Sequence, residues 1–307
     1  MPKVSILIPV YNRKSYIGEC IQSALDQTFT DFEVIIVDNA SDDGTWEICQ
    51  RFAAIDYRIR IYRNSRNIGP VRNWKRCVEE AKGEFSKILF SDDTLEPECL
   101  AEMVPKLENP DVSLVFCAAR IGKNKEESTL AYFHKEKERL TSREFLTLIL
   151  DGKAPVSPGA ILIRTRDLLK NLHFDFPTAT PRPFEKHGAG PDVLISLLTA
   201  DNYLFVVHSA KPLVYFRAHA DSFTITNSSM QVFDGYTSAI SYYLSIRFAR
   251  SKVIDYLTKK WLQRMRATHS LISPRLFLMQ NITDFKLKDI ALVFMYSIAH
   301  VIRKVAS

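Results

Sequence analysis

With 307 residues, 46% of them apolar and 25% charged, the chain has the composition of a soluble globular protein with one large domain or a domain plus an appendage. Its net charge of +6 is uneven: residues 247–307 hold 12 Lys/Arg against 3 Asp/Glu, a net +9, which leaves −3 for residues 1–246. A basic tail implies an anionic partner, yet no nucleic-acid-binding motif or interleaved aromatic platform is present, so nucleic acid is not expected.

Charged and turn-forming Asn12, Arg13 and Lys14 interrupt the first apolar stretch, and no signal peptide is expected. The cysteines Cys20, Cys49, Cys77, Cys99 and Cys117 include no pair at metal spacing. The first three fall on apolar helix faces, which predicts reduced core thiols in a cytoplasmic protein.

Along the chain, Val4-Ser-Ile-Leu-Ile-Pro-Val10 reads as a buried strand. Ser15 is the expected N-cap of a helix that buries Ile17, Cys20, Ile21, Ala24 and Leu25. A strand ending Val34-Ile-Ile-Val-Asp38 follows, then the turn-rich Asn39–Gly44 and a helix from about Thr45. Arg58–Arg63 alternates as a strand. Gly69-Pro70 opens a helix with Trp74, Cys77, Val78 and Ala81 inward, because a proline at the first helical position loses no hydrogen bond.

The next strand runs through Ile88-Leu-Phe90 into Ser91-Asp-Asp93, and a helix follows Pro97. Val112–Ala118 is a further strand. This alternation over residues 1–118 predicts a mostly parallel sheet covered by helices.

Residues 119–140 are charged and irregular. Thr141-Ser-Arg-Glu144 is a capping box before a helix, and Ala160–Ile163 is a strand. The Pro/Gly-rich 175–191 reads as an active-site loop, with a helix from Asp192. Strands at Tyr203–Val207 and Leu213–Arg217 come next, with mostly helix beyond about 229. Within that tail, Ile290–Ile302 is too short to span a bilayer, which needs ~20 apolar residues. Flanked by Lys286, Lys288, Arg303 and Lys304, it suits either an interfacial helix on anionic lipid or a docked C-terminal helix.

Acids just past the carboxyl ends of strands lie where open α/β sheets bind ligands. Asp38, Asp92 and Asp93 therefore converge on one edge, and the acid pair suits Mg²⁺ or Mn²⁺ holding a diphosphate. Asp38 is placed to accept a hydrogen bond from a base or ribose. Asp192, behind the loop, is either a general base or an ordinary helix cap. His219 could ligate the metal or touch phosphate, with Arg217 beside it, and Arg72 could meet an anion or stack on a base.

Four ordered segments carry a resemblance: Val4–Asn12, Val37-Asp-Asn-Ala-Ser-Asp-Asp-Gly-Thr45, Asn67-Ile-Gly69 and Ser91-Asp-Asp93. Together they resemble family 2 of the nucleotide-sugar glycosyltransferases, of GT-A fold and inverting chemistry, over residues 2–225. The resemblance implies a GT-A domain over 1–225, with a nucleotide-binding half (1–118) and an acceptor half (119–225), and a basic helical extension over 226–307. It implies that Pro9, Tyr11 and Asn12 belong to the nucleotide site with Asp38 and Arg72. Asp92 would face ribose or sugar, and Asp93 would bind the metal. Asp192 would be the catalytic base, where only one acid stands in place of a common Glu-Asp pair. Tyr215-Phe-Arg-Ala-His219 followed by Asp221-Ser222 is similar to a late Arg-x-His element, which puts Arg217 and His219 at the diphosphate. Asn39 stands where a second Asp is common.

The implied partners are a nucleotide-diphospho-sugar, with a UDP-sugar favoured, and a saccharide or lipid-linked acceptor, at the cytoplasmic membrane's inner face. A dinucleotide oxidoreductase would need Gly-x-Gly-x-x-Gly where Pro-Val-Tyr-Asn stands. A non-catalytic nucleotide-sugar-binding subunit is the rival from another class.

Overall fold

The computed structural model describes residues 1–133, 137–181, 184, 187–219 and 229–305, with 299–305 described by backbone alone. Asp221, Ser222 and part of the expected 175–191 loop lie outside the described residues, as do the side chains of Arg303 and Lys304.

The first half follows the predicted alternation: β1 (Val4–Val10), α1 (Ile17–Leu25), β2 (Phe32–Asp38), α2 (Thr45–Ile55), β3 (Ile59–Arg63), α3 (Pro70–Glu80) and β4 (Phe85–Ile88). Then come β5 (Thr94–Leu95), α4 (Cys99–Leu107), β6 (Val112–Gly122), β7 (Thr129–Ala131), β8 (Arg139–Thr141), α5 (Ser142–Leu150), β9 (Ile161–Arg164) and α6 (Thr165–Asn171). The chain closes with α7 (Pro191–Ala200), β10 (Phe205–Arg217), α8 (Ser229–Arg247), α9 (Arg250–Thr268), α10 (Pro274–Asn281) and α11 (Lys288–Val305).

One sheet carries these strands in the order β3-β2-β1-β4-β9-β6-β10-β5, with β7 and β8 pairing on β6 and β10. The β3-β2-β1-β4 run is parallel, as is β6–β10, while β9 enters antiparallel between β4 and β6. Strand side chains alternate between faces. Ile6, Ile8 and Val10 of β1 therefore join a core with α1 and α4, while Leu7 joins the core of α3, α5 and α7–α9 on the other face. All five cysteines are free and buried; burial pushes the Cys99 thiol up to about 12, which leaves it inert.

Several expectations are corrected. Tyr16, not Ser15, caps α1 without a side-chain bond, and the Arg13 carbonyl accepts the N–H groups of Tyr16 and Ile17. The segment 119–140 is not irregular throughout: β6 runs on to Gly122 and pairs with β7, and the exposure of Arg120, Thr129 and Leu130 hid the strand pattern. The two late strands are one, β10, whose register on β6 slips around Pro212 because proline lacks the ladder donor. The capping box at Thr141 and Glu144 is present.

Candidate active site

Parallel pairing puts the carboxyl ends of β1, β2 and β4 on one edge. Val10 lies opposite Asp38, and the Leu89 N–H donates to the Leu7 carbonyl at 2.9 Å just before the acids. A cleft of about 1430 Å³ opens there. Of the sequence-predicted residues, Pro9, Tyr11, Arg72, Asp92, Asp93, Asp192 and Arg217 line it; Asn12, Asp38 and His219 do not.

The late motif reaches the acids through β5, two residues paired antiparallel with Val214 and Tyr215 of β10. This pairing aims the Arg217 backbone N–H at Asp93 Oδ1, 3.0 Å away. Arg217 Nε donates to the Asp92 carbonyl at 3.1 Å, and its Nη2 meets Glu19 at 2.5 Å. His219 Nε2 lies 3.0 Å from Asp92 Oδ2, its ring 4.6 Å from that of Tyr16. Arg13 Nε is 3.4 Å from the same oxygen. Asp93 is buried, and burial first, then the neighbouring Asp92 carboxylate, push its carboxyl well above the usual range. The Arg217 N–H offsets only part of this.

Among the described residues, no three His, Cys, Asp or Glu side chains converge as a metal cage. The adjacent acids nonetheless fit a cation that keeps phosphate oxygens and water as its other ligands. The raised Asp93 carboxyl shows that burial and the adjacent Asp92 carboxylate outweigh the Arg217 N–H and the nearby Lys87 and Arg217 charges.

Asp192 occupies the second position of α7, behind Gly190, whose φ of +118° a side chain would resist. Asp192 Oδ1 accepts the N–H groups of Gly190 and Val193, both at 2.8 Å. Its Oδ2 accepts the Tyr236 hydroxyl at 2.7 Å. Burial drives the carboxyl up to about 7, against the lowering effect of these donors. Burial also holds the Tyr236 phenol well above its usual range, so it stays a donor. Tyr236 belongs to α8, beyond the region of resemblance, and no sequence signal pointed to it. Its approach depends on Gly235, where a Cβ would fall 2.4 Å from the Ala189 carbonyl oxygen.

Three predicted residues stand behind the cleft wall. Asn12 pairs reciprocally with Asp42, its Nδ2 donating at 2.9 Å and its Oδ1 accepting the Asp42 N–H at 3.0 Å, and so ties two loops together. Asp38 is fully buried, its Oδ2 held by the Ser41 N–H and Arg63 Nε, both at 3.1 Å, while its Oδ1 has no partner. His219 is held by Asp92 and Tyr16 as described. Arg72 is exposed, its guanidinium carbon 4.8 Å from the Phe174 ring centre.

Asn39 lines the cleft where a second acid was the family expectation. Its amide donates to Asn67 Oδ1 at 2.8 Å and accepts from Asn64 Nδ2 at 2.8 Å and the Ile68 N–H at 3.0 Å. A carboxylate could not make the first of these bonds. The asparagine cluster at 39, 64, 67 and 73 thus fixes the 64–69 loop. Its signal in the sequence is Asn39 just past β2 with Asn64 and Asn67 just past β3, two neighbouring strand ends that only the fold brings together.

A family model described as glycosyl transferase family 2 matches residues 5–172, more than half of the chain, and the chain belongs to that family. Chondroitin synthase of Escherichia coli is 43% identical over 101 residues, which cover 33% of this chain and 14% of that protein. Other curated relatives are matched over only 33–37% of their own length. Among solved structures, S. aureus TarS 1–349 in complex with UDP-GlcNAc aligns with a TM-score of 0.60 at 16% identity, covering 97% of this chain and 91% of that one. The mannosyltransferase PcManGT of Pyrobaculum calidifontis, in complex with GDP-Man and Mn²⁺, aligns at 0.51 and 18% identity over all of this chain and 76% of that one. These two likenesses establish the GT-A fold.

Proposed function

We propose that this family 2 member transfers a hexosyl or related sugar from a nucleotide-diphospho-sugar to an acceptor hydroxyl, by metal-assisted single displacement with inversion. A UDP-sugar is the favoured donor, and a saccharide or lipid-linked acceptor in surface polysaccharide or glycolipid assembly is the favoured partner. The likeness to a chondroitin synthase and to sugar-nucleotide-bound neighbours supports this. The observation that carries it is one cleft lined both by an adjacent acid pair, buried Asp93 with half-buried Asp92, and by a separate buried acid, Asp192, whose carboxyl is driven up to about 7.

In this reading the base lies against Pro9 and Tyr11, with the unpartnered Asp38 Oδ1 behind them to accept a base N–H. Arg72 faces the nucleotide, while Asp92 faces ribose or sugar. Asp192 accepts the acceptor hydroxyl's proton as that oxygen bonds to the sugar C1. The C1–O bond to the diphosphate breaks on the opposite face, and the electron pair leaves with the diphosphate. A pKa of about 7 suits a base that must be ionised yet receptive at neutral pH. Asp93, beside the Asp92–His219 pair, would hold a divalent cation, which when bound would supply charge neutralisation for the leaving group. Arg217 and His219 position that acid pair. No second carboxylate is required, because no covalent sugar intermediate forms. Residues 1–225 form the transferase domain and 226–307 an extension, acting at the cytoplasmic membrane's inner face.

The test is a thermal-shift panel of UDP, GDP, dTDP and CDP with and without Mn²⁺, on wild type and Asp93→Ala. Stabilisation by one nucleotide that needs the metal and vanishes in the variant is expected, by about 2.7 kcal/mol at a hundredfold excess over Kd. Failure of every nucleotide to stabilise the wild type overturns the donor-site reading.

A further inference from the structure

We infer that the outer face of α11, together with α10, docks on the anionic surface of a lipid bilayer, lying in its interface plane. Leu287, Ala291, Phe294, Met295 and Ile298 recur at i, i+4, i+7, i+8 and i+11, which is one stripe of an α-helix, and all five are exposed. The opposite stripe is already satisfied. Val293 is buried in the core, and buried Asp289 is held by Arg250 of α9 at 2.6 and 2.8 Å. Folding therefore uses the inner face of α11 and leaves an apolar face outside, the reverse of an ordinary surface helix.

Leu271, just before α10, and Leu276 and Met279 on α10 are exposed as well. Seven of the seventeen large apolar side chains exposed among the described residues fall within 271–298, under a tenth of the chain. Such concentration marks an interaction site rather than scattered surface apolarity.

Charge selects the partner. Exposed Arg275, Lys286 and Lys288 border the stripe, within a tail of net +9. Asp284 and Asp289, the nearby acids, are both ion-paired to Arg250. A cationic rim around an apolar stripe matches phosphate head groups over acyl chains. Among the described residues no helix is long and apolar enough to cross a membrane, which restricts the contact to the interface. The inference stands on this surface and is independent of the sugar-transfer reading.

The test is co-sedimentation of the full chain with vesicles of phosphatidylcholine alone or of equal parts phosphatidylcholine and phosphatidylglycerol. Binding only to the anionic vesicles, released by salt, is expected. Lys286→Gln and Lys288→Gln should each weaken partitioning about fivefold. Phe294→Ser with Ile298→Ser should weaken it about tenfold or more, with circular dichroism and thermal midpoint unchanged because both side chains are exposed. The inference is overturned by equal binding to both vesicle types or by no binding of the wild type. It is equally overturned if the double variant keeps its lipid binding but dissociates a wild-type dimer in the ultracentrifuge, which would make a second copy the occupant.

Discussion

Asp93 and Asp192 line the same cleft, both buried and both with raised carboxyls, but they are held differently. Asp93 sits beside a second carboxylate, and donors gather around the pair: Arg13 Nε and the His219 ring at Asp92 Oδ2, the Arg217 guanidinium at the Asp92 carbonyl, and the Arg217 backbone N–H at Asp93. Asp192 stands alone among neutral donors, two backbone N–H groups and one phenol. Like charges forced together favour a cation, whereas a lone acid in a dry, hydrogen-bonded niche favours a proton. On the proposed reading, one wall of the cleft would take a diphosphate and its metal, and the other acid would do acid–base work.

The largest expected effect tests whether that division is real. Asp192→Asn should lower transfer by on the order of 10²–10⁴ while leaving nucleotide-dependent thermal stabilisation intact. Unchanged transfer would break the comparison and remove Asp192 from the reaction; transfer absent already in the wild type would favour the binding-subunit reading.

A smaller effect sharpens it. Tyr236→Phe removes a donor to the ionised Asp192, so its pKa should rise above about 7 and the acid limb of the rate profile should move to higher pH. At pH 7 kcat should fall about tenfold with the donor KM unchanged. A profile that does not move would make Tyr236 a packing residue only. Stability carries the matching sign. Between the ordinary carboxylate range and about pH 7 the folded state binds the extra proton, so stability falls as pH rises across that window. Asp192→Asn should flatten that slope, as denaturant titrations at several pH values would show.

Least of all, Asn39→Asp should cost about 1 kcal/mol by removing the bond to Asn67 Oδ1 and setting a carboxylate oxygen against it, read as a lower thermal midpoint with weaker nucleotide binding. A gain in stability would mean that the asparagine cluster does not hold the 64–69 loop.

The two sides also differ in how far they could be read in advance. β1, β2 and β4 are short apolar runs ended by turn formers, so period and punctuation located them, and parallel pairing then aligned Asp38 with Asp92 and Asp93. The contact between Arg217 and Asp93 spans 124 residues and rests on a two-residue strand, β5, too short to leave a pattern. Asp192 was visible as an acid at a helix start, but its niche was not. Tyr236 is one aromatic among several on α8, and nothing local distinguishes the one that meets a carboxylate 44 residues earlier. Ser15 misled for a related reason: a cap-forming residue type does not cap when a backbone carbonyl two residues earlier already takes the free donors.

The close fit of Gly235 against the Ala189 carbonyl has a consequence for how such chains can diversify. A recombination event that exchanged the C-terminal helices between two relatives would carry Gly235 and Tyr236 away together. The hybrid would inherit the Asp92–Asp93 wall of one parent and the clamp on Asp192 from the other. Only tails that keep a small residue followed by a phenol at that point of α8 could be traded without resetting the acidity of the reaction site, so the tail and the cleft are bound to change in step.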